Sequence, residues 1–171
     1  MRWTLGRPAR AAVFALAFLA MQGCGYSVRP PYDPGIRTVY VPMFTANVFR
    51  RDLNQQLTDL VIKEIERRTP FKVVGSPEGA DSTLEGAIAY ADKSLMVENP
   101  NNLPRHVLVS LMVSVKWTDN RPSVDNKVVL PVVFVNMMAL YPEIGETTSL
   151  AYQKSMAKLA RDIVNAMEKP W

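Results

Sequence analysis

The chain has 171 residues, of which 48% are hydrophobic, and its 20 Lys and Arg residues face 16 Asp and Glu residues. Three of the basic residues, Arg2, Arg7 and Arg10, lie in the first ten positions, so the rest of the chain is nearly neutral. This balance excludes the basic surface that nucleic-acid binding requires, and the length suits one domain with a single core.

The N-terminus has the pattern of a secretory signal. The three arginines precede an uncharged, mostly apolar run from residue 11 to residue 21. A helix that crosses a membrane needs about 20 apolar residues, and this run is much shorter. The pattern therefore predicts a signal peptide over residues 1–23 rather than a permanent membrane helix.

The one cysteine of the chain follows that run directly. Met21-Gln22-Gly23-Cys24 places a small residue before the cysteine and resembles a bacterial lipobox, although Gln22 stands where a small or β-branched residue is commoner. The resemblance implies a diacylglyceryl group on the Cys24 sulfur, cleavage before Cys24 and acylation of the new amine. Several acyl chains anchor a protein durably, whereas a single chain binds membranes reversibly. The alternatives are soluble secretion and an ordinary buried or unpaired thiol.

The segment after the cysteine is predicted to be a tether. Residues 24–35 contain Pro30, Pro31 and Pro34, which cannot continue a helix or a central strand. We therefore expect a short, extended, lipidated tether, followed by a single domain over residues 36–171. With its cysteine lipidated, that domain has no disulfide and must be stabilised by its apolar core.

The first half of the domain begins with a strand and a helix. Residues 37–44 are rich in β-branched and aromatic side chains, which favour a strand. Residues 52–68 carry apolar side chains at helical spacing and predict an amphipathic helix that ends before Pro70. A short strand over residues 71–74 follows, and then a turn-rich stretch that ends at Gly79.

A long hairpin is predicted next. Residues 83–96 suggest a long strand that is broken or bulged near Gly86, and residues 107–117 alternate apolar and polar side chains. Such alternation is typical of a half-buried antiparallel strand. The Asn- and Pro-rich residues 98–104 join the two strands.

The last part of the chain contains an ambiguous segment and a second helix. Residues 128–141 are almost continuously apolar, and periodicity leaves two interpretations of residues 131–141 open. They form either a core strand or an exposed patch that contacts a partner or a membrane. Residues 147–168 have helical spacing, with Thr147 or Thr148 as the N-cap.

The order of these elements predicts an α+β fold. Long antiparallel hairpins cannot be covered by helices that cross between parallel strands, so both amphipathic helices should lie on one face of the sheet. We expect a two-layer sandwich with a mostly antiparallel sheet of four to five strands.

The sequence offers little for catalysis. His106 is the one histidine, at a junction between loop and strand, and the acidic residues are spread along the chain. A metal site or a catalytic triad needs clustered ligands or a nucleophile beside a base. A solvated or capping His106 is the favoured interpretation, and we expect no enzyme activity, no metal and no cofactor.

Taken in order, several segments resemble the lipopolysaccharide-assembly lipoproteins of the LptE family. The matching segments cover nearly the whole mature chain, from the Cys-Gly-Tyr at residues 24–26 through residues 38–44, 53–68, 69–74, 80–86 and 159–164. The apolar segment 131–141 departs from the family pattern. The pattern around Asp81 and Gly86 also resembles other envelope lipoproteins that help to assemble secretion channels, so a structural or channel-assembly lipoprotein with a different partner is the alternative.

The resemblance implies a role without catalysis. A member of the family sits in or against the lumen of an integral outer-membrane β-barrel, LptD-like, as plug and assembly factor, and contacts lipopolysaccharide during its delivery to the surface. The residue after Cys24 is Gly25 and not the aspartate of inner-membrane retention, which implies the periplasmic face of the outer membrane.

The cations near the long hairpin are candidate lipopolysaccharide contacts. Arg and Lys side chains can neutralise phosphates and acidic sugars through charge-assisted hydrogen bonds. For any single one of them, an ordinary solvated surface residue is the alternative. The predicted set is Lys93, Arg105, Lys116, Arg121 and Lys127.

Overall fold

The computed structural model describes residues 32–48, 50, 52–101, 103–122 and 128–168, with the backbone alone at residues 128–131. The predicted signal peptide, Cys24, the tether up to residue 31 and Lys127 lie outside these residues.

The predicted α+β fold is confirmed, with one strand more than expected. The additional strand is the two-residue β2, which sequence periodicity cannot detect. The elements are β1 (Thr38–Tyr40), β2 (Thr45–Ala46), α1 (Leu53–Arg68), β3 (Lys72–Val74), β4 (Ser82–Glu98), β5 (Pro104–Asp119), β6 (Val128–Leu140), a 3-10 turn (Pro142–Ile144) and α2 (Thr148–Ala166).

The sheet has the order β3-β1-β4-β5-β6, and β2 also pairs with β4. The long strands β4, β5 and β6 are antiparallel, as predicted for a hairpin. The short strands pair in parallel, β1 with both β3 and β4 and β2 with β4. Two parallel neighbours must be joined by a long crossover connection. For the pair β1 and β3, that connection includes α1.

One face of the sheet carries both helices and the core. Alternate side chains of β5, from Val107 to Trp117, point to this face and are buried. The helices α1 and α2 contact each other and bury the apolar stripes that the sequence predicts. Their most buried apolar residues include Leu57, Val61 and Ile65 of α1 and Met156, Leu159 and Ile163 of α2.

The start of α2 distinguishes between its two predicted caps. The Thr147 side-chain oxygen accepts a hydrogen bond from the Leu150 backbone N–H at 3.3 Å. Thr148 is already the first residue of the helix. Thr147 is therefore the N-cap.

The structure shows that residues 128–140 form a strand with two different faces. Asn136 and Leu140 point toward the helices and are 4% and 2% exposed. Val133 and Met137 point to the opposite face and are 58% and 63% exposed. Core and exposed positions thus alternate along one edge strand, and contact of the exposed side chains with a partner or a membrane stays a prediction.

The strand β4 is bulged as predicted, a few residues beyond Gly86. Gly86 is in regular register with Val115, and the register shifts between Ile88 and Tyr90 instead. Up to Ile88, β4 pairs with β5 on one side, and on its other side with β1 at residues 82–83 and with β2 at residues 87–88. Gly86 has a different role: a Cβ atom there would overlap the buried Phe44 ring, with Phe44 Cδ2 only 2.6 Å away.

Candidate functional site

The face of the sheet opposite the helices carries a groove of about 840 Å³. Its floor comes from β4, β5 and β6, and the segment that leads into β2 forms one wall. The lining is mostly apolar. It includes Pro42, Met43, Thr45, Glu85, Ala87, Ser114, Lys116 and Val133.

The wall of the groove is positioned by contacts on the other face. The Phe44 backbone N–H donates to Thr58 Oγ1 of α1 at 3.0 Å, and the Phe44 ring fills the space left by Gly86. With Phe44 held in the core, its neighbour Met43 is 62% exposed and lines the groove. The wall therefore depends on the core packing beneath it.

Lys116 is the predicted cation that lies in this groove. It is exposed and stands directly opposite Glu85 in the β4–β5 register. The groove thus combines a mostly apolar lining with one lysine and one glutamate that face each other across two strands.

The other described cations lie elsewhere. Arg105 and Lys116 are eleven residues apart on β5, which corresponds to roughly 36 Å along a strand. Lys93 is in register with Val109, a residue of the helix-covered face, although Lys93 itself is exposed. The predicted cations therefore do not form one cluster among the residues that the structure describes.

Arg121 is held by acidic neighbours at the end of β5. Its guanidinium donates to both carboxylate oxygens of the buried Asp119, with Nε at 2.9 Å from Oδ1, and lies 3.6 Å from Asp33. The hydrogen bonds from Arg121 lower the pKa of the Asp119 carboxyl. The hydrogen bonds to Asp119 in turn raise the pKa of Arg121. These contacts give Arg121 a structural role in closing the turn after β5.

Asp81 forms a similar junction at the start of β4. It accepts hydrogen bonds from the backbone N–H groups of Arg37 and Thr38, at 2.8 and 2.9 Å. The bond from the Arg37 N–H is the main cause that lowers the pKa of Asp81. This carboxylate joins β1 to the start of β4. The Ala-Asp pattern before the strand therefore has a structural explanation that does not require a bound ligand.

Arg105 and His106 lie near the tip of the β4–β5 hairpin. Arg105 Nε is 3.4 Å from Glu143, and both side chains are well exposed. The His106 ring stacks on Tyr141, with centroids 5.0 Å apart and planes at 6°. His106 lies within β5 and is half-buried, so it is neither the cap nor the solvated residue that we expected. No described carboxylate or nucleophile stands in hydrogen-bond contact with His106 Nε2.

Sequence reasoning missed the apolar part of the groove. The sequence places Met43 in a strand without a functional role. The apolar composition around Val133 does not show whether its side chain is buried or exposed. Side chains of a strand point alternately to its two faces. Once β6 is known to be an edge strand with one covered face, this alternation identifies Val133 as a residue of the uncovered face.

The described residues contain neither a group of metal ligands nor a membrane-spanning helix. Within this part of the chain, no three His, Cys, Asp or Glu side chains are grouped so that they could hold a metal ion. None of the described helices is both long and apolar enough to span a bilayer.

Comparisons with known proteins bear on the fold and the family. No curated protein matches the sequence significantly. Several solved structures share the fold. Lipoprotein B from Nitrosomonas europaea has a TM-score of 0.58 at 15% identity, covering 83% of this chain and 89% of that one. Rare lipoprotein B from Shewanella oneidensis has a TM-score of 0.51 at 12% identity, covering 77% and 93%.

A third similar structure is the PelC L103M dodecamer from Paraburkholderia phytofirmans, with a TM-score of 0.54 at 10% identity, covering 82% of this chain and 94% of that one. At such identities these likenesses establish the fold alone. The family model for lipopolysaccharide assembly, LptE, matches residues 36–167, which is most of the chain. The chain therefore belongs to the LptE family of lipopolysaccharide-assembly lipoproteins.

Proposed function

We propose that this chain is an outer-membrane lipoprotein that assists the assembly of the lipopolysaccharide translocon and the delivery of lipopolysaccharide to the cell surface. The observation that carries the proposal is the family match over residues 36–167, together with the helix-on-sheet fold. The chain acts by binding and not by catalysis, as plug and assembly factor of an LptD-like integral β-barrel.

In this proposal Cys24 carries the lipid and holds the domain at the periplasmic face of the outer membrane. The support is the sequence alone: an arginine-rich start, a short apolar run and a small residue before the cysteine. The proline-containing residues 24–35 then give the domain a short reach from the membrane. The barrel partner must therefore lie in or near the same membrane.

The groove on the helix-free face is the proposed contact for lipopolysaccharide. Its apolar wall and floor suit acyl chains, and Lys116 suits a phosphate or an acidic sugar. Lys93, Arg105 and Lys127 remain proposed as outlying contacts. Arg121 is the weakest of the predicted set, because Asp119 and Asp33 already occupy its guanidinium.

Binding of purified lipopolysaccharide to the full-length protein in detergent tests the groove. We expect Lys116→Ala to weaken binding by roughly tenfold, the effect of one lost charge-assisted hydrogen bond. Lys63→Ala is the matched control, because Lys63 is an exposed lysine on α1, on the other side of the sheet. Equal affinities for the two variants would remove Lys116 from the site.

The second candidate is a structural or secretion-channel assembly lipoprotein with a different envelope partner. The fold is shared with the PelC L103M dodecamer, a protein of another name, so the fold by itself fits this candidate as well. Affinity purification of the lipidated full chain through a C-terminal tag separates the candidates. We expect an integral barrel of the lipopolysaccharide translocon to co-purify, whereas a secretion channel would establish the second candidate.

A further inference from the structure

Apart from the outer side of the two-residue β2, the sheet has three free edges among the described residues, and two of them are protected against pairing. The edge at β3 is three residues long and includes Lys72. The outer side of β4 beyond Ile88 carries Asp92, Lys93 and Glu98, and its register is interrupted by bulges. Short length, charges and bulges are the devices by which proteins prevent further strand pairing.

The third edge, β6, has almost none of these devices. It is 13 residues long, contains no ionisable residue, and has one proline, Pro131, near its start. From residue 132 to residue 140 it is in unbroken register with β5. Its outward N–H and C=O groups therefore form a regular row that fits another extended strand.

Asn136 indicates which strand that is. It is the one polar residue of β6, points toward the helices and is 4% exposed, and its Oδ1 atom has no hydrogen-bond partner among the described residues. A buried amide oxygen without a partner is costly, and the amide nitrogen of another Asn side chain can donate to it. A second Asn136, placed directly opposite, would satisfy both amides at once.

We propose that β6 pairs with β6 of a second copy of this chain, antiparallel and centred on Asn136. In this register the remaining residues of the strand all pair with apolar residues. Val135 lies opposite Met137 of the second copy, Phe134 lies opposite Met138, and Val132 lies opposite Leu140. The two-fold axis is perpendicular to the sheet, so both helix layers stay on one face and both grooves on the other.

The pairing explains exposed side chains that the helices leave uncovered. Val133, Val135 and Met137 are all about half exposed or more on the groove face, and in the dimer they form one apolar strip across two edge strands. The strip carries no charge, so the two copies do not repel each other there. A shared membrane anchor would raise the effective concentration of the copies. The inference goes beyond the proposed function, because it concerns the lipoprotein before or without its barrel partner.

Disulfide trapping in isolated membranes tests the register. Two differently tagged full-length variants, Val135→Cys and Met137→Cys, are expressed together and oxidised with copper phenanthroline, and the linked peptides are mapped by mass spectrometry. We expect a 135–137 disulfide in at least tenfold excess over the dimer formed by Val133→Cys alone. Val133 is equally exposed, but in this register its two copies lie six positions apart, roughly 20 Å.

A second variant tests the role of the amide. Asn136→Leu keeps the side chain similar in volume and removes the unsatisfied oxygen, so the monomer should keep its thermal midpoint. We expect the yield of the 135–137 disulfide to fall at least threefold. A yield no higher than that of the Val133→Cys control, an unchanged yield in Asn136→Leu, or trapping of a different protein at positions 135 and 137 would each overturn the proposal.

Discussion

Gly86 shows how a single missing side chain shapes the proposed site. The Phe44 ring occupies the space of its Cβ atom, and Phe44 in turn holds the wall that presents Met43 to the groove. The sequence suggests a break or bulge near Gly86, because a glycine inside a strand often marks one. The close approach of Phe44 could not be predicted, since it depends on contacts between segments more than 40 residues apart.

We expect Gly86→Ala to lower the free energy of unfolding by about 1–3 kcal/mol, because the added methyl group overpacks a filled core. The control is Gly75→Ala, where an added Cβ atom meets nothing within 4 Å, and a change below about 0.5 kcal/mol is expected. Urea unfolding of both variants measures the difference. Equal stabilities would mean that Phe44 does not pack on Gly86.

The Asp119–Arg121 pair gives Arg121 a structural contact that the sequence did not predict. Arg121 was predicted as a ligand contact, yet its guanidinium is bonded to a buried carboxylate two residues away. Since Arg121 lowers the pKa of Asp119, the unfolded chain takes up a proton more readily than the folded protein. The stabilisation is complete above about pH 4 and is lost as the pH falls through the lowered pKa.

We therefore expect Arg121→Gln to lower the free energy of unfolding at pH 7 by about 1–3 kcal/mol, because a buried carboxylate loses its partner. The difference between variant and wild type should shrink as the pH falls from 5 toward 2. Arg67→Gln, which breaks an exposed pair with Glu64, should cost less than about 0.5 kcal/mol. Denaturant unfolding over this pH range provides the measurement, and a pH-independent difference would contradict the assigned cause.

At the scale of elements, sequence periodicity predicts long helices and strands whose contacts are close in sequence. Both helices and the β4–β5 hairpin follow from spacing and turn residues alone, and the structure confirms them. The strand β2 and the parallel pairing of β1 were not predictable, because two or three residues carry no period and their partners are distant in sequence. The sequence of β6 does not show which of its side chains are buried, because apolar residues occupy both faces of the strand.

The two faces of β6 should respond differently to truncation. We expect Leu140→Ala to destabilise the protein by about 2–5 kcal/mol, because Leu140 is in the core, and Met137→Ala to change stability by less than about 0.5 kcal/mol. Thermal or urea unfolding of the two variants compares a covered and an uncovered position of the same strand. A larger loss in Met137→Ala than in Leu140→Ala would contradict the orientation of the strand.

At the scale of the whole molecule, the N-terminal sequence and the family match support one account. The family follows from segments spread over residues 36–167, and no single segment would establish it. The groove and the free edge of β6 could not be read from the sequence, because both depend on which faces the helices leave open. The lipid site rests on the sequence pattern around Cys24.

We expect Cys24→Ala to release the protein from the membrane into the periplasm and to separate it from its barrel partner. The physical reason is that no other predicted segment supplies a durable membrane anchor. Cell fractionation measures the release. Unchanged retention in the membrane fraction of a strain without the barrel would contradict lipid anchoring.

The most direct test of the central claim is depletion of this chain in living cells, followed by labelling of surface lipopolysaccharide and analysis of the barrel. We expect the barrel to lose its folded, heat-modifiable form and lipopolysaccharide to accumulate inside the surface layer. A folded barrel with normal lipopolysaccharide at the surface after depletion would contradict the account.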